Sequence, residues 1–396
     1  MLRVLTLSTL FPDRSRPNFG VFVKRQTRAL AVLPDTRVMV VAPLGLPPAP
    51  LARLRHGSLA GLPICESWQG LDVHRPRFVA LPFTAGRFHA RALARAAVPI
   101  LDRLRGSFDV IDASFFFPDG VAAVALGRRY GVPVSIKARG ADIHHWGRSP
   151  ATASQVLAAG READGLLAVS AAMRGDMIAL GMPADRIRVH HTGVDQGRFA
   201  PADRAAAKAA LRVAGPLVVA TGALIPRKGH EVVIEAVARL PGVTLLIAGE
   251  GPDRPRLEAV IRRLGATDRI RLLGSVPHDD LPRLLAAADV MALASASEGL
   301  ANAWVEALAC GRPIVVTDIG GAREVVTAPD AGRIVPRDPA AFAAAIADLL
   351  AAPPDPQAVR AHAARFTWEA NALALRDHLA GLVRDFGSGV PRHAAA

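Results

Sequence analysis

Two carboxylates at a fixed spacing carry the strongest chemical signal in the chain. Glu298 and Glu306 stand eight positions apart in Ser295-Ala296-Ser297-Glu298-Gly299-Leu300-Ala301-Asn302-Ala303-Trp304-Val305-Glu306. The apolar run Val290–Ala294 before them reads as a buried strand, and the stretch from Ala303 to Ala309 as a helix ending at Gly311-Arg312-Pro313. Asn302 is the expected N-cap. Glu298 then sits on the loop at the strand's carboxyl end, and Glu306 lies one turn into the helix. Both can face one crevice with the helix N-terminus between them. Carboxylates so placed accept hydrogen bonds from sugar hydroxyls, and a helix N-terminus receives phosphate. A solvated helix glutamate would also satisfy the position of Glu306.

Other strand-exit loops bring cations and glycines. Thr221-Gly222-Ala223-Leu224-Ile225-Pro226-Arg227-Lys228-Gly229 precedes a helix starting near His230, where Lys228 is placed to neutralise a diphosphate. A solvated surface lysine is the alternative. Pro17-Asn18-Phe19-Gly20 opens a helix carrying Lys24 and Arg25, and Gly20 would let backbone amides approach a phosphate. An ordinary βα turn uses the same residues. Gly249-Glu250-Gly251-Pro252 is weaker, because Arg254 stands where a dinucleotide fingerprint has its third glycine. Asp318-Ile319-Gly320-Gly321 supplies a further glycine-lined approach.

The elements that must position these loops alternate along the chain. Val4–Thr9, Arg37–Pro43, Asp109–Ser114, Pro133–Arg139, Gly165–Ser170 and Arg186–His191 read as strands, with Val73–Leu81 also extended and amphipathic stretches such as Val21–Ala31 between them. The rhythm breaks at Gly193-Val194-Asp195 and Phe199-Ala200-Pro201. It restarts with Leu217–Thr221, Val243–Ala248, Ile270–Gly274, Val290–Ala294, Pro313–Thr317 and Arg333–Val335. Two consecutive α/β domains are expected, residues 1–195 and 202–366, followed by a helix over 367–387 and a frayed tail. Ligands in such sheets sit beyond the carboxyl ends of the strands.

Composition excludes several classes. The 396 residues carry a net charge of +13, but only four of the 48 basic residues are lysines and no basic run is interleaved with aromatics, so nucleic acid is not an expected partner. Anionic substrates or an anionic membrane surface remain. The helical stretch Arg87 to Arg105 places Arg87, Arg91 and Arg95 on one face, with Phe88, Leu93, Val98, Ile100, Leu101 and Leu104 available to a membrane interface or to the chain's own sheet. Cys65 and Cys310 match no metal or redox spacing, which suits a reducing compartment. Val4–Leu10 is too short for a signal peptide and no apolar run reaches about 18 residues, so a cytoplasmic protein is expected, at most peripheral to the membrane.

Glu298-x7-Glu306 within Glu-Gly-Leu-Ala-Asn-Ala-Trp-Val-Glu-Ala-Leu-Ala-Cys-Gly-Arg-Pro resembles the donor-site signature of family 4 retaining glycosyltransferases of the GT-B fold. Val169-Ser170, Gly193-Val194-Asp195 with Phe199, Lys228-Gly229, Gly249-Glu250-Gly251-Pro252, Gly274-Ser275-Val276 and Phe366-Thr367-Trp368-Glu369 follow that family's landmarks in its order. The start, Phe11-Pro12 through Gly20-Val21-Phe22-Val23, is similar to bacterial members that build cell-surface polysaccharides. The resemblance implies two Rossmann-like domains facing each other across a cleft, acceptor side first and donor side second, with the last helix crossing back.

It also implies residue roles. Glu298 would hold hydroxyls of the transferred sugar and Glu306 the nucleotide ribose. Lys228, with Gly222 and Arg227 on its loop and amides near Gly20 and Leu300, would grip the diphosphate. Gly299, Ala301 and Asn302 would complete the donor loop, and Val276 would lie against the base. The sequence departs from the family pattern at Ala223, where an Arg is frequent, and Arg227 would have to substitute from across the turn. It departs again at Arg139-Gly140-Ala141-Asp142, where many members carry a His. There Arg139 would serve the donor phosphate and Asp142 a sugar hydroxyl, unless the two form a structural pair. The implied reaction is transfer from a nucleotide-diphosphate sugar to a glycan or lipid-linked acceptor with retained configuration. No Asp-x-Asp motif occurs, so no metal or other cofactor is expected. A nucleotide-sugar epimerase, a phosphorylase or a non-catalytic binding module on the same frame remains open at this point.

Overall fold

The computed structural model describes residues 1–48 and 59–388. The chain divides into two α/β units, one made of residues 1–191 with the segment from Trp368 onward, the other of residues 192–367. The tail expected to fray lies beyond residue 388, outside the described residues.

The first unit contains β1 (Leu2–Leu7), β2 (Thr36–Val41), β3 (Leu44–Leu46), β4 (Cys65–Trp68), β5 (Leu71–His74), β6 (Arg77–Val79), β7 (Val110–Ala113), β8 (Val134–Ala138), β9 (Gly165–Ala168) and β10 (Ile187–Val189). Eight of these form one sheet in the order β10-β9-β8-β7-β1-β2-β5-β4, parallel except for the antiparallel edge strand β4. The extended stretch expected over Val73–Leu81 is interrupted. Pro76 has no N–H for a ladder, so β5 joins the main sheet while β6 pairs with β3 in a separate two-stranded ladder. The short strands β3 and β4 had no clear apolar pattern to announce them.

The helix expected from Arg87 to Arg105 spans His89–Arg103. Its Leu93 and Leu101 are fully buried, so its apolar side is committed to its own unit rather than open to a bilayer. Arg87, Arg91 and Arg95 remain exposed. The C-terminal helix Trp368–Gly387 also belongs to this unit. Its Leu375 and Leu379 pack with Val4, Leu30, Val110 and Leu167. It is further pinned by polar contacts: Asn371 Nδ2 donates to the His191 carbonyl at 2.6 Å, and His378 Nε2 lies 3.1 Å from Ser135 Oγ.

The second unit contains β11 (Leu217–Thr221), β12 (Thr244–Ala248), β13 (Ile270–Gly274), β14 (Val290–Leu293), β15 (Ile314–Thr317) and β16 (Gly332–Val335). They form one parallel sheet in the order β13-β12-β11-β14-β15-β16. That is the dinucleotide-fold order, in which the chain returns to the centre and proceeds the other way, opening a crevice between β11 and β14. The central strands β11, β14 and β15 are buried along their whole length, as continuous apolar runs require when helices cover both faces. Val233, Ile234, Val237, Phe342, Ile346 and Leu349 cover one face.

Candidate functional site

The loops leaving β11 and β14 flank this switch point, and the strongest sequence candidates lie on them. After β11 the chain makes a single 3-10 turn, Pro226–Lys228, then enters the helix His230–Ala238 through Gly229. Gly229 has φ +67°, and a Cβ there would stand 1.9 Å from the Ala294 carbonyl oxygen. Only glycine allows this approach of the two loops. The loops are also bonded directly, the Ala296 N–H to the Arg227 carbonyl at 2.8 Å and the Arg227 guanidinium to the Ser297 carbonyl.

The result is a charged cluster. Lys228 Nζ donates to Glu298 Oε1, Ser295 Oγ donates to the same oxygen at 2.8 Å, and Arg227 lies 3.6 Å from Glu298 Oε2. The side chains of Lys228 and Glu298 are only 15% and 10% exposed, so their attraction is little screened. Gly222 lies beneath the lysine stem, its N–H bonded to the Ala248 carbonyl. His230 donates to the Ala223 carbonyl across 3.2 Å, and burial pushes its pKa down to about 4. The ring is therefore neutral at pH 7, and Lys228 and Arg227 supply the positive charge on this loop.

Glu298, Gly299, Leu300 and Ala301 are buried. The Gly321 N–H bonds the Gly299 carbonyl at 2.7 Å, so the 318–321 loop braces the glutamate loop. The following helix is Asn302–Ala309, one residue longer than expected at its start. Ala301 is its N-cap and no side chain caps it, which corrects the reading of Asn302 as the cap. Its first-turn amides are thus not bonded by a capping side chain. Glu306 lies on this helix with Oε1 3.0 Å from His278 Nε2, in the loop after β13 that also carries the half-buried Val276. The carboxyl ends of β14, β15 and β16 border a cavity of about 700 Å³ lined in part by Ser295, Thr317, Asp318, Arg323 and Arg337.

A cationic pair beside a helix start, two carboxylates and an adjoining cavity suit a phosphorylated, hydroxylated ligand. Comparison with known proteins identifies the family. The family model of group 1 glycosyl transferases matches residues 203–366, and that of glycosyltransferase family 4 matches residues 20–198. The D-inositol 3-phosphate glycosyltransferase of Mycolicibacterium vanbaalenii is 32% identical over 95% of this chain and 84% of that protein. The chain belongs to glycosyltransferase family 4. Sucrose-phosphate synthase from Thermosynechococcus elongatus superposes with a TM-score of 0.81 at 21% identity, covering 97% of this chain and all of that one. Anabaena HepE in complex with UDP does so with a TM-score of 0.74 at 20% identity, over 96% of this chain and all of that one. The fold is GT-B, and the protein is a glycosyltransferase.

In the first unit of this glycosyltransferase, Gly20, Arg139 and Asp142 also lie on strand-exit loops. Gly20 has φ +63° and a Cβ there would meet the Leu10 carbonyl oxygen at 2.1 Å, so the loop's own backbone requires the glycine. The Arg139 guanidinium donates to the Ser114 carbonyl at 2.7 Å and to Gln26 Oε1 at 3.3 Å, and lies 4.8 Å over the Phe22 ring. Asp142 is fully buried and accepts from the backbone N–H groups of Arg139, Gly140 and Phe116 at 3.0, 2.8 and 3.2 Å. The sequence reading put a sugar hydroxyl on this carboxylate; the structure puts three backbone amides there, which tie the loop after β8 to the loop after β7.

Three residues of the donor-side unit escaped sequence reasoning. Ser295 carries no local signal beyond its place on the loop, although it bonds Glu298 directly. His278 follows the Gly274-Ser275-Val276 landmark, a signal that pointed to the loop but not to the ring. Arg337 donates to the carbonyls of Ala294 and Pro226, both at 2.8 Å, and staples the two crevice loops from the bend after β16. No local pattern marks such a staple.

Proposed function

We propose that this glycosyltransferase moves a sugar from a nucleoside-diphosphate donor to a lipid-linked or polysaccharide acceptor of cell-surface glycan synthesis, retaining anomeric configuration. The observation that carries the reading is the Lys228–Glu298–Arg227 cluster at the β11/β14 crevice. Lys228 and Arg227 neutralise the departing diphosphate, with amides at the start of the 302–309 helix assisting. Glu298 holds sugar hydroxyls, Glu306 the ribose, and Val276 the base. In the first unit Asp142 holds the loop of Arg139 in shape. In this scheme the protein acts by positioning and by stabilising charge on the leaving group. In this reading basic residues do the work that a divalent cation does in other transferases, so turnover is expected to survive EDTA.

The test is thermal shift against UDP, GDP and ADP, followed by nucleotide-sugar panels. A ligand at 100 times its Kd adds about 2.7 kcal/mol of stability. Release of nucleoside diphosphate with an acceptor-bound sugar supports transfer. Isomerised donor without release would establish an epimerase, dependence on inorganic phosphate a phosphorylase, and binding without turnover a non-catalytic module.

The acceptor is proposed to be met at an anionic, cytoplasmic membrane face. Among the described residues no helix is long and apolar enough to cross a membrane. Arg91 and Arg95 lie on one exposed face of the helix, while Arg87, expected on the same face, falls in the turn before it and is exposed there together with Leu81, Phe83 and Phe88. Near an anionic leaflet each such charge adds about 1 kcal/mol. Co-sedimentation with anionic vesicles at low and physiological salt checks this. Binding unchanged in an Arg87/Arg91/Arg95→Gln variant would remove this surface from the account.

A further inference from the structure

Glu306 holds one oxygen against a side chain from another part of the unit. Its Oε1 lies 3.0 Å from His278 Nε2, with the two side chains 12% and 18% exposed. An ionised carboxylate only accepts, so the ring nitrogen donates. The histidine is itself held. Its ring stands edge-on to Phe199 with centroids 5.5 Å apart at 76°, and Phe199 is fully buried. The Phe199 carbonyl accepts from Arg360 at 2.9 Å, and the same guanidinium donates to the carbonyls of Ala309 at 2.7 Å and Gln196 at 2.9 Å. Ala309 ends the helix that carries Glu306. The segment 195–199, the loop after β13 and the Glu306 helix are therefore one braced frame.

We propose that His278 is a positioning residue for the nucleotide, fixing the Glu306 carboxylate so that its second oxygen meets a ribose hydroxyl. The proposal rests on the ribose role given to Glu306 above. A glutamate has three side-chain torsions, and without a partner its carboxylate would sample several positions of which one suits the diol. Preorganisation of this kind raises affinity by removing the ordering cost from the binding step. It also explains what Phe199, far from both residues in sequence, does for the donor site: it sets the ring that sets the carboxylate.

The experiment uses the full chain and whichever of UDP, GDP and ADP binds it most tightly, together with the 2′,3′-dideoxy form of that nucleotide. In His278→Ala the Kd for the ribonucleotide is expected to rise about tenfold, while that for the dideoxy form changes less than about threefold. His278→Gln keeps a side-chain N–H donor and is expected to recover most of the loss. His278→Asn is too short to reach and should behave as Ala, which keeps the test readable if the Ala variant folds poorly. In Glu306→Gln the ribonucleotide preference falls equally, and the double variant is no worse than either single one. With saturating acceptor, KM for the donor rises while kcat stays within about threefold. Equal weakening of both nucleotides, full additivity with Glu306→Gln, or binding like the parent would overturn the positioning role. If Glu306→Gln itself binds as the parent does, the ribose reading fails instead, whatever His278 does. If none of the three nucleotides binds, the donor reading falls and this proposal with it.

Discussion

At the scale of single residues, the donor-side cluster makes Lys228 and Arg227 unequal. Lys228 is mostly buried and bonded to Glu298, whereas Arg227 is 39% exposed and 3.6 Å from it. Lys228→Ala is expected to cost about 2.7–4 kcal/mol of transition-state stabilisation, by analogy with loss of an oxyanion donor. Arg227→Ala should cost clearly less, because solvent screens its charge. Comparing kcat for the two variants checks the ranking, and turnover of Lys228→Ala equal to the parent would remove the lysine from the mechanism. The two glutamates separate along the donor. Glu298→Gln is expected to change rate and sugar discrimination, while Glu306→Gln weakens binding of the bare nucleoside diphosphate as well. Calorimetry with bare nucleotide and competition between sugar donors distinguish them.

At the scale of elements, the site depends on two loops pressed together at the sheet's switch point. Backbone approach is the limiting feature, and Gly229 is where it is tightest. Gly229→Ala puts a Cβ 1.9 Å from the Ala294 carbonyl oxygen at φ +67°, so the loops must separate. The expected loss is about 2 kcal/mol or more, larger than the left-handed backbone alone would cost. Thermal unfolding with and without nucleotide reads it: both the baseline melting temperature and the nucleotide-induced shift should fall. An unchanged baseline would mean that the loops yield freely. The lysine, the glycine and the glutamate were legible because loop chemistry is local. Arg337 was not, since a staple from the bend after β16 to Ala294 and Pro226 exists only after the strands have been ordered.

At the scale of the whole chain, the first unit buries charge as well as apolar surface. Asp119 is fully buried at the end of the loop after β7, accepting the Thr9 N–H at 2.9 Å, and burial pushes its pKa up to about 7. Asp112 is likewise raised to about 6. A raised carboxyl binds a proton more readily when folded, so its contribution is fully present below about pH 3.8 and lost as pH climbs towards 7. Asp119→Asn removes that loss. Its stability gain over the parent should be greater at pH 8 than at pH 5 by about 2–3 kcal/mol, measured by denaturant unfolding at both pH values. A gain independent of pH would show that Asp119 does not titrate in that window. Lys137 makes the same point with the opposite sign. It is fully buried between Gln26 Oε1 at 3.0 Å and His190 Nδ1 at 2.8 Å, and burial holds its pKa well below that of a free lysine.

Sequence alone determined the alternation of strands and helices, the two α/β sheets, the family, and the elements on which Lys228, Glu298 and Glu306 stand. These follow from apolar periodicity and from motifs contiguous in the chain, which local physics makes readable. Tertiary structure alone decided which face of the arginine-rich helix is covered, that Asp142 serves three backbone amides, and that His278 meets Glu306. It also decided that Lys137, inside a strand that reads as continuous, is sealed beside a histidine. At Asp142 two of the amides are close neighbours in the chain and only that of Phe116 is distant. For the other cases, burial and hydrogen-bond partners depend on residues tens of positions to about a hundred away, and no short window of sequence contains both members of such a pair.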